Sequence, residues 1–599
     1  MLQTVDWIIV AIFFAIVLII GWVASKTAGK DTSQFFLGGR GMPWWLLGIS
    51  MVACTFSADT PNLVTGMVRE SGVAKNWAWW AFLITGMVTV FIYAKLWRRS
   101  NIMTDLEYYE LRYSGRAASF LRGFRSLYLG IFFNTLIMGT VTLAAIKIGG
   151  VMLGVKPWLA VVGGSVVVVI YASIGGLKGV IWADFFQYSI AMFGAVLAAV
   201  IATRQPEVGG LSNLLSNPAI AGKLKIFPDM TDPSVWIPLL LIPVAVQWWS
   251  VWYPGAEPGG GGYIAQRMLS AKNEKNAIGA TLLFNFAHYA LRPWPWIIVA
   301  LASLVIFPDL ASIREAFPAI TDTYLKDDIA YPAMLTLIGP GWLGLVTASL
   351  IAAYMSTIGT HLNWGSSYVV NDFYKRFVRK DAPEKELVAA GRFTTILLMV
   401  IASLLSLFFL NNATQAFNVL LLSGAGTGAI YLLRWFWWRI NAWTEIVAMI
   451  VATVTAVVLV FFVTDETLAT EVLDAFTVRL LIAVTITTVA WLVTTLVTKP
   501  EPDEVLITFC QKTHPGGPGW KTVTEKAAEK GIILEPEGRK WNMPLQLLCV
   551  FAGTIVIYSA LFSIGSFVYL KPLNGIILAV VAAVGTWFLF RSFNKIAED

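Results

Sequence analysis

The residues with the clearest chemical potential are Ala353, Ser356 and Thr357, which lie three and four positions apart in a long apolar segment. Side chains at these spacings share one face of a helix, so two hydroxyls and one backbone carbonyl would converge. A small, hard monovalent cation prefers such oxygen ligands, as calcium does. Two carbonyls freed by a neighbouring unwound helix would complete a five-oxygen sodium site. Hydroxyls in membrane helices also bond back to their own i−4 carbonyls, so the spacing alone leaves a structural role open.

The segment 48–61 is where we expect such an unwound helix. Pro61 removes a backbone donor and clashes with the preceding turn, while the Thr60 hydroxyl competes for backbone hydrogen bonds. Asp59 would place a costly carboxylate at membrane depth. A second interruption is expected in the proline- and glycine-rich segment 253–262. Irregular backbone is tolerated at that depth only where protein or a water-filled cavity satisfies its polar groups.

The two interruptions fall in the second and seventh predicted membrane helices, five helices apart. This spacing is expected of two five-helix repeats of inverted topology, each beginning with a discontinuous helix near a binding site. Proline and glycine are also simply more frequent in membrane helices, so either interruption alone would carry little weight. The glycine run 259–262 lacks the Gly-Lys-Ser/Thr ending of a phosphate-binding loop, which argues against nucleotide binding.

The composition predicts an all-α polytopic membrane protein. Of the 599 residues, 57% are hydrophobic and 13% are charged, which is about half of the charged share of a soluble domain. The three cysteines and three histidines show neither metal-ligand spacing nor a disulfide framework. The first apolar run has no positive n-region and no cleavage site, so we expect it to be retained as a helix.

About fifteen segments are long and apolar enough to cross a bilayer, which needs about 20 residues. They are 5–24, 43–68, 76–97, 118–150, 157–174, 179–203, 235–257, 275–306, 333–375, 387–410, 413–437, 442–464, 472–497, 543–568 and 572–592. Most of the 43 Lys and Arg residues fall on one side of the membrane if the N-terminus lies outside. Because cytoplasmic loops are rich in Lys and Arg, we predict an external N-terminus and a cytoplasmic C-terminus, in the inner membrane of a bacterium.

These spans divide the chain into an extra N-terminal helix, two repeats and additional C-terminal helices. The predicted units are an N-terminal helix and loop (1–42), repeat 1 (43–203), an external loop (204–234), repeat 2 (235–440), two additional helices (441–497), a cytoplasmic loop (498–541) and two C-terminal helices with a tail (542–599). The loop 498–541 is too short for a catalytic domain. A small surface cap and a plain linker both fit it, and the linker is favoured over a regulatory element.

In these features the sequence resembles the sodium:solute symporter family, which includes bacterial galactose, proline and sialic acid transporters. The resemblance covers roughly residues 1–465 and implies the LeuT-type inverted-repeat fold. Besides the face of Ala353, Ser356 and Thr357, it rests on Ser57-Ala58-Asp59, Gly175-Gly176-Leu177, Trp182-Ala183-Asp184, Gln187, Tyr263-Ile264-Ala265-Gln266-Arg267, Asp372-Phe373-Tyr374 and Gly391-Arg392. Together these motifs are fairly specific, whereas any one alone would be weak.

The resemblance implies sodium as the coupling ion. The family's main sodium site would fall on the backbone carbonyls of Ala53 and Phe56, the carbonyl of Ala353, and the hydroxyls of Ser356 and Thr357. Every position that needs a hydroxyl retains one.

A second sodium ion, which some members bind, would involve Asp184 and Thr360. Gly359 replaces one hydroxyl of that site, and Asp184 follows a short basic loop, so an ordinary helix-end salt bridge is an equal alternative. Tyr263 matches a tyrosine that closes the substrate cavity from the cytoplasmic side in sugar-transporting members. An aromatic residue near a membrane interface is also a common anchor.

The positions that hold sugar in galactose-transporting members correspond to Thr60, Trp79, Gly261, Tyr289 and Phe417. Most of them have lost an amide, carboxylate or ammonium group, so a galactose-like binding mode is not supported. The aromatic faces that are left could stack on a sugar ring, but they could equally pack as core.

Arg292 is an ionisable residue within a predicted span and is therefore a candidate for binding substrate. It could meet a substrate carboxylate or pair with Asp59, and His288, one helical turn earlier, could share that cavity. A buried salt bridge with a purely structural role is the competing interpretation.

Together these features predict a sodium-coupled symporter that imports a small organic solute by alternating access. A sugar or sugar-derived solute is favoured, and an organic anion such as a monocarboxylate is the alternative. A transporter-like membrane sensor is an alternative of another class. Paired catalytic acids, a His-rich metal motif and a nucleophile elbow are all missing from the sequence, so no enzyme is predicted. Sodium, the solute and the lipid bilayer are the expected partners, with no nucleic acid and no obligate protein partner.

Overall fold

The computed structural model describes residues 2–253, 255–318, 320, 322, 325–410, 422, 424–534 and 542–598. These residues form helices joined by turns and contain no β-strand. One isolated parallel bridge pairs Met42 with Ala271. In it the Met42 N–H donates to the Ser270 carbonyl and the Lys272 N–H donates to the Met42 carbonyl. The predicted all-α fold class is confirmed.

The helices that form the bundle and position the site are numbered in chain order. They are α1 (Thr4–Ala28), α2 (Trp44–Cys54), α3 (Thr60–Ser71), α4 (Val73–Ser100), α5 (Gly115–Met152), α6 (Pro157–Thr203), α7 (Pro233–Ser250), α8 (Gly262–Ser270), α9 (Glu274–Ile306), α10 (Trp342–Val378), α11 (Glu384–Phe408), α12 (Gly428–Leu433), α13 (Ala442–Phe461), α14 (Ala475–Val497), α15 (Asp503–Thr513), α16 (Lys521–Glu529), α17 (Met543–Val568) and α18 (Pro572–Glu598). Short helices in the connections include Thr32–Leu37, Tyr108–Arg112, Leu211–Ser216, Leu310–Ala316, Ala330–Leu335 and Asp465–Leu468.

Twelve of the described helices are long and apolar enough to cross a membrane, so the chain is a multi-pass membrane protein. Three differences separate this number from the fifteen predicted. The predicted spans 157–174 and 179–203 form one element, α6, which bends at Gly176 where φ is 52°. The second predicted span is divided into α2 and α3. In the predicted span 413–437, residues 413–421 and 423 lie outside the described residues, and the described part contains only the short helix α12, so the count of fifteen stays a prediction.

The interruption expected in the second helix is present. α2 ends at Cys54 and α3 begins only at Thr60. Pro61 lies in the first turn of α3, where a missing N–H has no intrahelical partner to lose. The last carbonyls of α2 lack intrahelical donors, as at every helix end. The break therefore exposes backbone oxygen atoms inside the bundle.

The second interruption separates α7 from α8. Gly255, Gly259 and Gly260 adopt φ values of 99°, 78° and 83°, which glycine reaches without steric cost. α8 then begins at Gly262, whose N–H donates to the carboxylate of Asp105 at 2.9 Å. An anion at this place stabilises the positive end of the helix dipole and fixes where α8 starts.

The segment predicted as one span over 333–375 begins later than expected. Ala330–Leu335 is a separate short helix, and α10 starts only at Trp342. Gly341, with φ of 82°, turns the chain between the two helices. The predicted start was wrong because hydropathy does not register a tight turn between two apolar helices.

The extra N-terminal helix α1 fixes the start of α10. Its Asp6 side chain is fully buried, and Oδ1 accepts the N–H groups of Gly341 and Gly344 at 2.7 Å each. The first N–H groups of a helix have no intrahelical acceptor, so a buried helix start needs such a partner. α1 thus positions the helix that carries the predicted sodium ligands.

Residues 503–529, named the C-terminal cap below, form a small folded unit with α15 and α16 rather than a plain linker. The Trp520 side chain is 2% exposed, and its Nε1–H donates to the Trp435 carbonyl at 2.9 Å. The Arg112 guanidinium lies 4.9 Å from the Trp520 ring centroid and donates to the Trp438 carbonyl at 3.1 Å. The cap is therefore docked on two connections of the bundle.

Candidate functional site

The broken end of α2 faces the hydroxyl-bearing face of α10. The Thr357 hydroxyl lies 3.2 Å from the Cys54 carbonyl oxygen and 3.2 Å from the Ala353 carbonyl oxygen, and all three residues are buried. The Thr357 hydroxyl thus makes the i−4 bond of the structural alternative and also a contact across the break. The carbonyl that Thr357 reaches across the break is that of Cys54, so the ligand roles of Ala53 and Phe56 stay a prediction.

The other predicted hydroxyl ligand contacts a buried carboxylate. The Ser356 hydroxyl donates to Asp184 Oδ1 at 2.6 Å, and the Ser50 hydroxyl donates to Oδ2 at 2.5 Å. Asp184 lies on α6 and is fully buried. A serine hydroxyl has one proton and two lone pairs. Because the Ser356 proton is engaged in the hydrogen bond to Asp184, the lone pairs of the Ser356 oxygen are left to bind a cation.

Arg267, on α8, joins the same carboxylate to α10. Its guanidinium lies 3.6 Å from Asp184 Oδ2 and donates to the Thr360 hydroxyl at 2.7 Å. Arg267 and Asp184 are both fully buried. Asp184 and Thr360, the two residues considered for a second sodium ion, thus both contact the Arg267 guanidinium. Asp184 forms a salt bridge, but it is a buried pair with Arg267 inside the bundle rather than the helix-end pair that was considered. An arginine within the bundle, soon after a helix interruption, is a sequence signal of function.

Two of the predicted solute-binding residues stack on each other. The Trp79 and Tyr289 rings lie 5.9 Å apart with an interplanar angle of 24°. Thr60 begins α3 beyond the first interruption, and Gly261 lies in the second interruption, just before α8. Phe417 lies outside the described residues. The described contacts therefore join Trp79 with Tyr289, and the binding roles of all five positions stay predictions.

Arg292 is buried and lies 5.8 Å from the Trp79 ring centroid. Its guanidinium donates to the Thr55 carbonyl at 2.6 Å, and the other terminal nitrogen lies 2.9 Å from His288 Nε2. The described residues do not form the ion pair between Arg292 and Asp59 that was considered. A cation beside the Thr55 carbonyl instead stabilises the negative end of α2.

A cavity of about 310 Å³, its mouth included, lies between α4, the second interruption and α9. Its enclosed space has room for about one water molecule. The described residues that line it are Phe82, Thr85, Gly86, Thr89, Gly255, Ala256, Glu257, Gly260, Ile264, Thr281, Phe284, Asn285 and Tyr289. Glu257 was not predicted from the sequence, although an acidic residue in a membrane-helix interruption is a signal of function.

Residues 35–452 match the model of the sodium:solute symporter family. The chain belongs to that family. It is 25% identical over 468 residues to a sodium/glucose cotransporter of Vibrio parahaemolyticus, an alignment that covers 75% of this chain and 84% of that protein. It is 26% identical over 472 residues to sodium/glucose cotransporter 1 of Oryctolagus cuniculus, covering 73% of this chain and 69% of that protein.

The fold of this symporter is similar to that of a solved Na+-coupled sialic acid symporter in a substrate-bound, outward-open state. The TM-score is 0.68 at 22% sequence identity, with 84% of this chain and 99% of that chain covered. The LeuT-type fold implied by the sequence motifs is thereby confirmed. Membership of the family identifies sodium as the coupling ion.

In this symporter Tyr263 lies next to two residues that line the cavity, Gly255 and Ile264. Its ring packs against His361 and Trp364, with centroid distances of 5.3 Å and 5.9 Å. A Cβ atom added to Gly255 would lie 2.0 Å from the Tyr263 hydroxyl, and Gly255 and Ile264 both line the cavity. This position is compatible with the predicted gate, and the gating role itself stays a prediction.

An ion-pair network joins the connection 101–114 to the end of α10. Arg122 pairs with Asp372 and with Glu110, at 2.8 Å each, and Arg376 pairs with Glu110 at 3.0 Å. Burial by itself raises the pKa of Glu110, but hydrogen bonds from Arg376, Ser119 and Arg122 outweigh it and lower the pKa to about 2. Glu110 is therefore ionised at neutral pH and holds this end of the bundle together.

Replacing Gly255 with alanine is expected to destabilise the symporter and to displace Tyr263. The φ of 99° is strained for any residue with a Cβ atom, and such strain costs about 1–3 kcal/mol. The unfolding temperature of the purified protein measures this loss. Gly163→Ala is the matched control because a Cβ added at Gly163 meets no atom within 4 Å. Equal unfolding temperatures for the two variants would contradict the packing described.

Proposed function

We propose that this symporter imports a small organic solute together with sodium across the inner membrane of a bacterium, with its N-terminus outside and its C-terminus in the cytoplasm. The proposed activity is transport rather than catalysis. One observation carries the proposal: the Thr357 hydroxyl lies 3.2 Å from the carbonyls of both Cys54 and Ala353. An ion bound there would join one helix of each repeat and would depend on their relative position.

The proposed sodium ligands are oxygen atoms from α2 and α10. They are the carbonyls of Ala53, Phe56 and Ala353 and the hydroxyls of Ser356 and Thr357. The hydrogen bond from Ser356 to Asp184 supports this set, because it directs the serine proton away from the ion and keeps the lone pairs for it. The Thr357 hydroxyl lies within hydrogen-bond distance of two carbonyls. When the ion binds, this hydroxyl would rotate so that its proton points away from the ion.

In the proposed cycle, sodium enters from outside and bridges α2 and α10. The ion stabilises the outward-open arrangement and completes the solute site. One repeat then rocks against the other, Tyr263 moves, and the path to the cytoplasm opens. The membrane potential supplies about 2.3 kcal/mol per charge per 100 mV. Coupling requires that sodium and solute raise each other's affinity by the same factor.

A sugar or sugar-derived solute is the proposed cargo. Two relatives are named for sodium-coupled glucose transport, and the stacked rings of Trp79 and Tyr289 offer an aromatic face for a sugar ring. The alternative cargo is an organic anion: the terminal nitrogens of Arg292 contact Thr55 and His288, but its buried Nε–H has no hydrogen-bond partner among the described residues.

The combined substitution Ser356→Ala and Thr357→Ala is expected to abolish sodium-driven uptake and to lower sodium affinity by at least about tenfold, which corresponds to about 1.4 kcal/mol. The reason is the loss of two of the proposed ligands. Sodium affinity is measured from the rise in unfolding temperature with NaCl, with KCl as the reference salt. Uptake is measured with labelled D-glucose in proteoliposomes.

Ser367→Ala is the control for this variant, because Ser367 lies on the same helix and donates within it, to the Trp364 carbonyl at 2.7 Å. The control is expected to respond to sodium as the unsubstituted protein does. Undiminished stabilisation by sodium in the double variant would refute the ligand assignment. Sodium binding without any solute flux in the unsubstituted protein would favour a membrane sensor instead.

A further inference from the structure

Two membrane helices each present a pair of polar side chains to the small cavity beside the second interruption. Thr85 and Thr89 lie four residues apart on α4. Thr281 and Asn285 have the same spacing on α9, and residues so spaced share one face of a helix. All four line the cavity, whose enclosed space has room for about one water molecule. The two helices therefore surround a very small space with polar groups.

The three threonines have only lone pairs left for this space. Their hydroxyls donate to backbone carbonyls, which are those of Trp248, Thr85 and Ala277. A hydroxyl whose proton is engaged in this way can still accept through its oxygen. Each threonine therefore offers the cavity an electron pair rather than a proton.

Asn285 adds an acceptor that lacks a partner. Its amide nitrogen donates to the Thr281 carbonyl at 2.8 Å, which fixes the orientation of the amide. The Oδ1 atom is buried and has no hydrogen-bond partner among the described residues. A Cβ atom added to Gly86, another lining residue, would overlap this oxygen. The Oδ1 atom therefore lies at the cavity wall, in space that only a glycine leaves open.

The fifth oxygen donor is a carboxyl group without an ionic partner. Glu257 lies between α7 and α8, is 8% exposed and lines the same cavity. Its Oε2 accepts the Gly255 N–H at 2.9 Å, and no ion pair among the described residues involves it. The described lining residues include no lysine, arginine or histidine. A buried carboxylate is costly unless a positive charge binds beside it.

This ligand set fits a small monovalent cation. Carboxylate, amide and hydroxyl oxygens are the atoms that hard cations prefer, and one carboxylate balances one positive charge. A water molecule has fewer protons than the cavity has acceptors, and it would leave the buried charge of Glu257 unbalanced. A bare sodium ion is smaller than a water molecule and can contact several of these oxygens at once.

We infer that the cavity binds a second sodium ion through the side-chain oxygens of Thr85, Thr89, Glu257, Thr281 and Asn285. The inference rests on the proposed symport and adds one ion to its cycle. The site differs from both sites considered from the sequence, because no residue of either lines this cavity. Since Glu257 lies just before α8, the ion would hold the second interruption against α4 and α9.

The test counts the sodium ions bound by the purified full-length symporter, from equilibrium binding of radioactive sodium in choline chloride. The unsubstituted protein is expected to bind two ions. Glu257→Gln keeps the size of the side chain but removes its charge, which is expected to weaken binding of the second ion by about 100-fold. This variant should therefore bind one ion at the sodium concentration that fills both sites of the unsubstituted protein.

Thr281→Val is the second variant, because valine keeps the shape of threonine and removes one ligand. It is expected to weaken binding of the same ion by about tenfold. Thr395→Val is the matched control. Thr395 on α11 is equally buried, and its hydroxyl also donates to the carbonyl four residues earlier, but it lies outside the cavity. The control is expected to bind two ions.

Two ions in Glu257→Gln, or one ion in the unsubstituted protein, would overturn the inference. The sodium assignment also falls if KCl displaces the Glu257-dependent ion at lower concentrations than unlabelled NaCl does. The combined Ser356→Ala and Thr357→Ala variant separates this site from the proposed one. If that variant loses one ion and Glu257→Gln loses none, the proposed site stands and the cavity site does not. The opposite pattern refutes the proposed ligands and supports the cavity site.

Discussion

Replacing Arg267 with methionine is expected to destabilise the symporter by about 3–5 kcal/mol, because the change leaves a buried carboxylate without its cation. Arg267 and Asp184 are both fully buried, and the guanidinium also donates to the Thr360 hydroxyl at 2.7 Å. Methionine keeps the apolar stem, so the packing volume changes little. The unfolding temperature of the purified protein measures the effect, and transport is expected to be lost with it.

The control for this prediction is the double variant Arg267→Met with Asp184→Asn. Removal of both charges is expected to restore most of the lost stability, since replacing a whole buried pair costs less than breaking it. Arg204→Met, at an exposed helix end, should leave the unfolding temperature unchanged. A double variant as unstable as the single one would show that the ion pair is not the source of the loss.

Replacing Trp520 with alanine is expected to release the C-terminal cap from the bundle. Removal of a fully buried tryptophan costs about 3–5 kcal/mol, and the hydrogen bond to the Trp435 carbonyl and the contact with Arg112 are lost as well. Trypsin is expected to cleave after Lys521 and Lys526 far faster in this variant. Limited proteolysis followed by mass spectrometry locates and times these cuts.

Trp158→Ala provides the comparison, because Trp158 is 53% exposed and lies far along the chain from the cap. Its cleavage pattern should match that of the unsubstituted protein. A cap that resists trypsin equally in the Trp520 and Trp158 variants would contradict the docking described. The sodium response is expected to survive release of the cap, since no residue of the cap contributes a proposed ligand.

The interruption of the second helix was predictable because its causes are local. Pro61 and Thr60 act on the backbone of their own segment, and a single sequence contains both signals. The shared face of Ser356 and Thr357 follows equally from helix geometry. The start of α10 has a local signal as well, Gly339-Pro340-Gly341, and the prediction missed it because it followed the apolar run alone.

The contacts that were missed join segments far apart in the chain. Arg267 was part of a motif, but its pairing with Asp184 depends on how α8 packs against α6. The glycines around Glu257 predict only an irregular backbone. That its side chain lines a cavity depends on how distant helices pack around it. The docking of the C-terminal cap likewise depends on Trp520 meeting Trp435. Spacing and composition contain no information about such distances.

The pairing of Met42 with Ala271 links the start of α2 to the end of α8 through two backbone hydrogen bonds. One of these helices ends at the proposed sodium ligands, and the other begins beside Tyr263. A displacement of either helix along its axis is therefore transmitted to the other. In the proposed cycle, departure of the ion from α2 would therefore shift α8 and Tyr263 as well, and this coupling would limit the entry of sodium without solute.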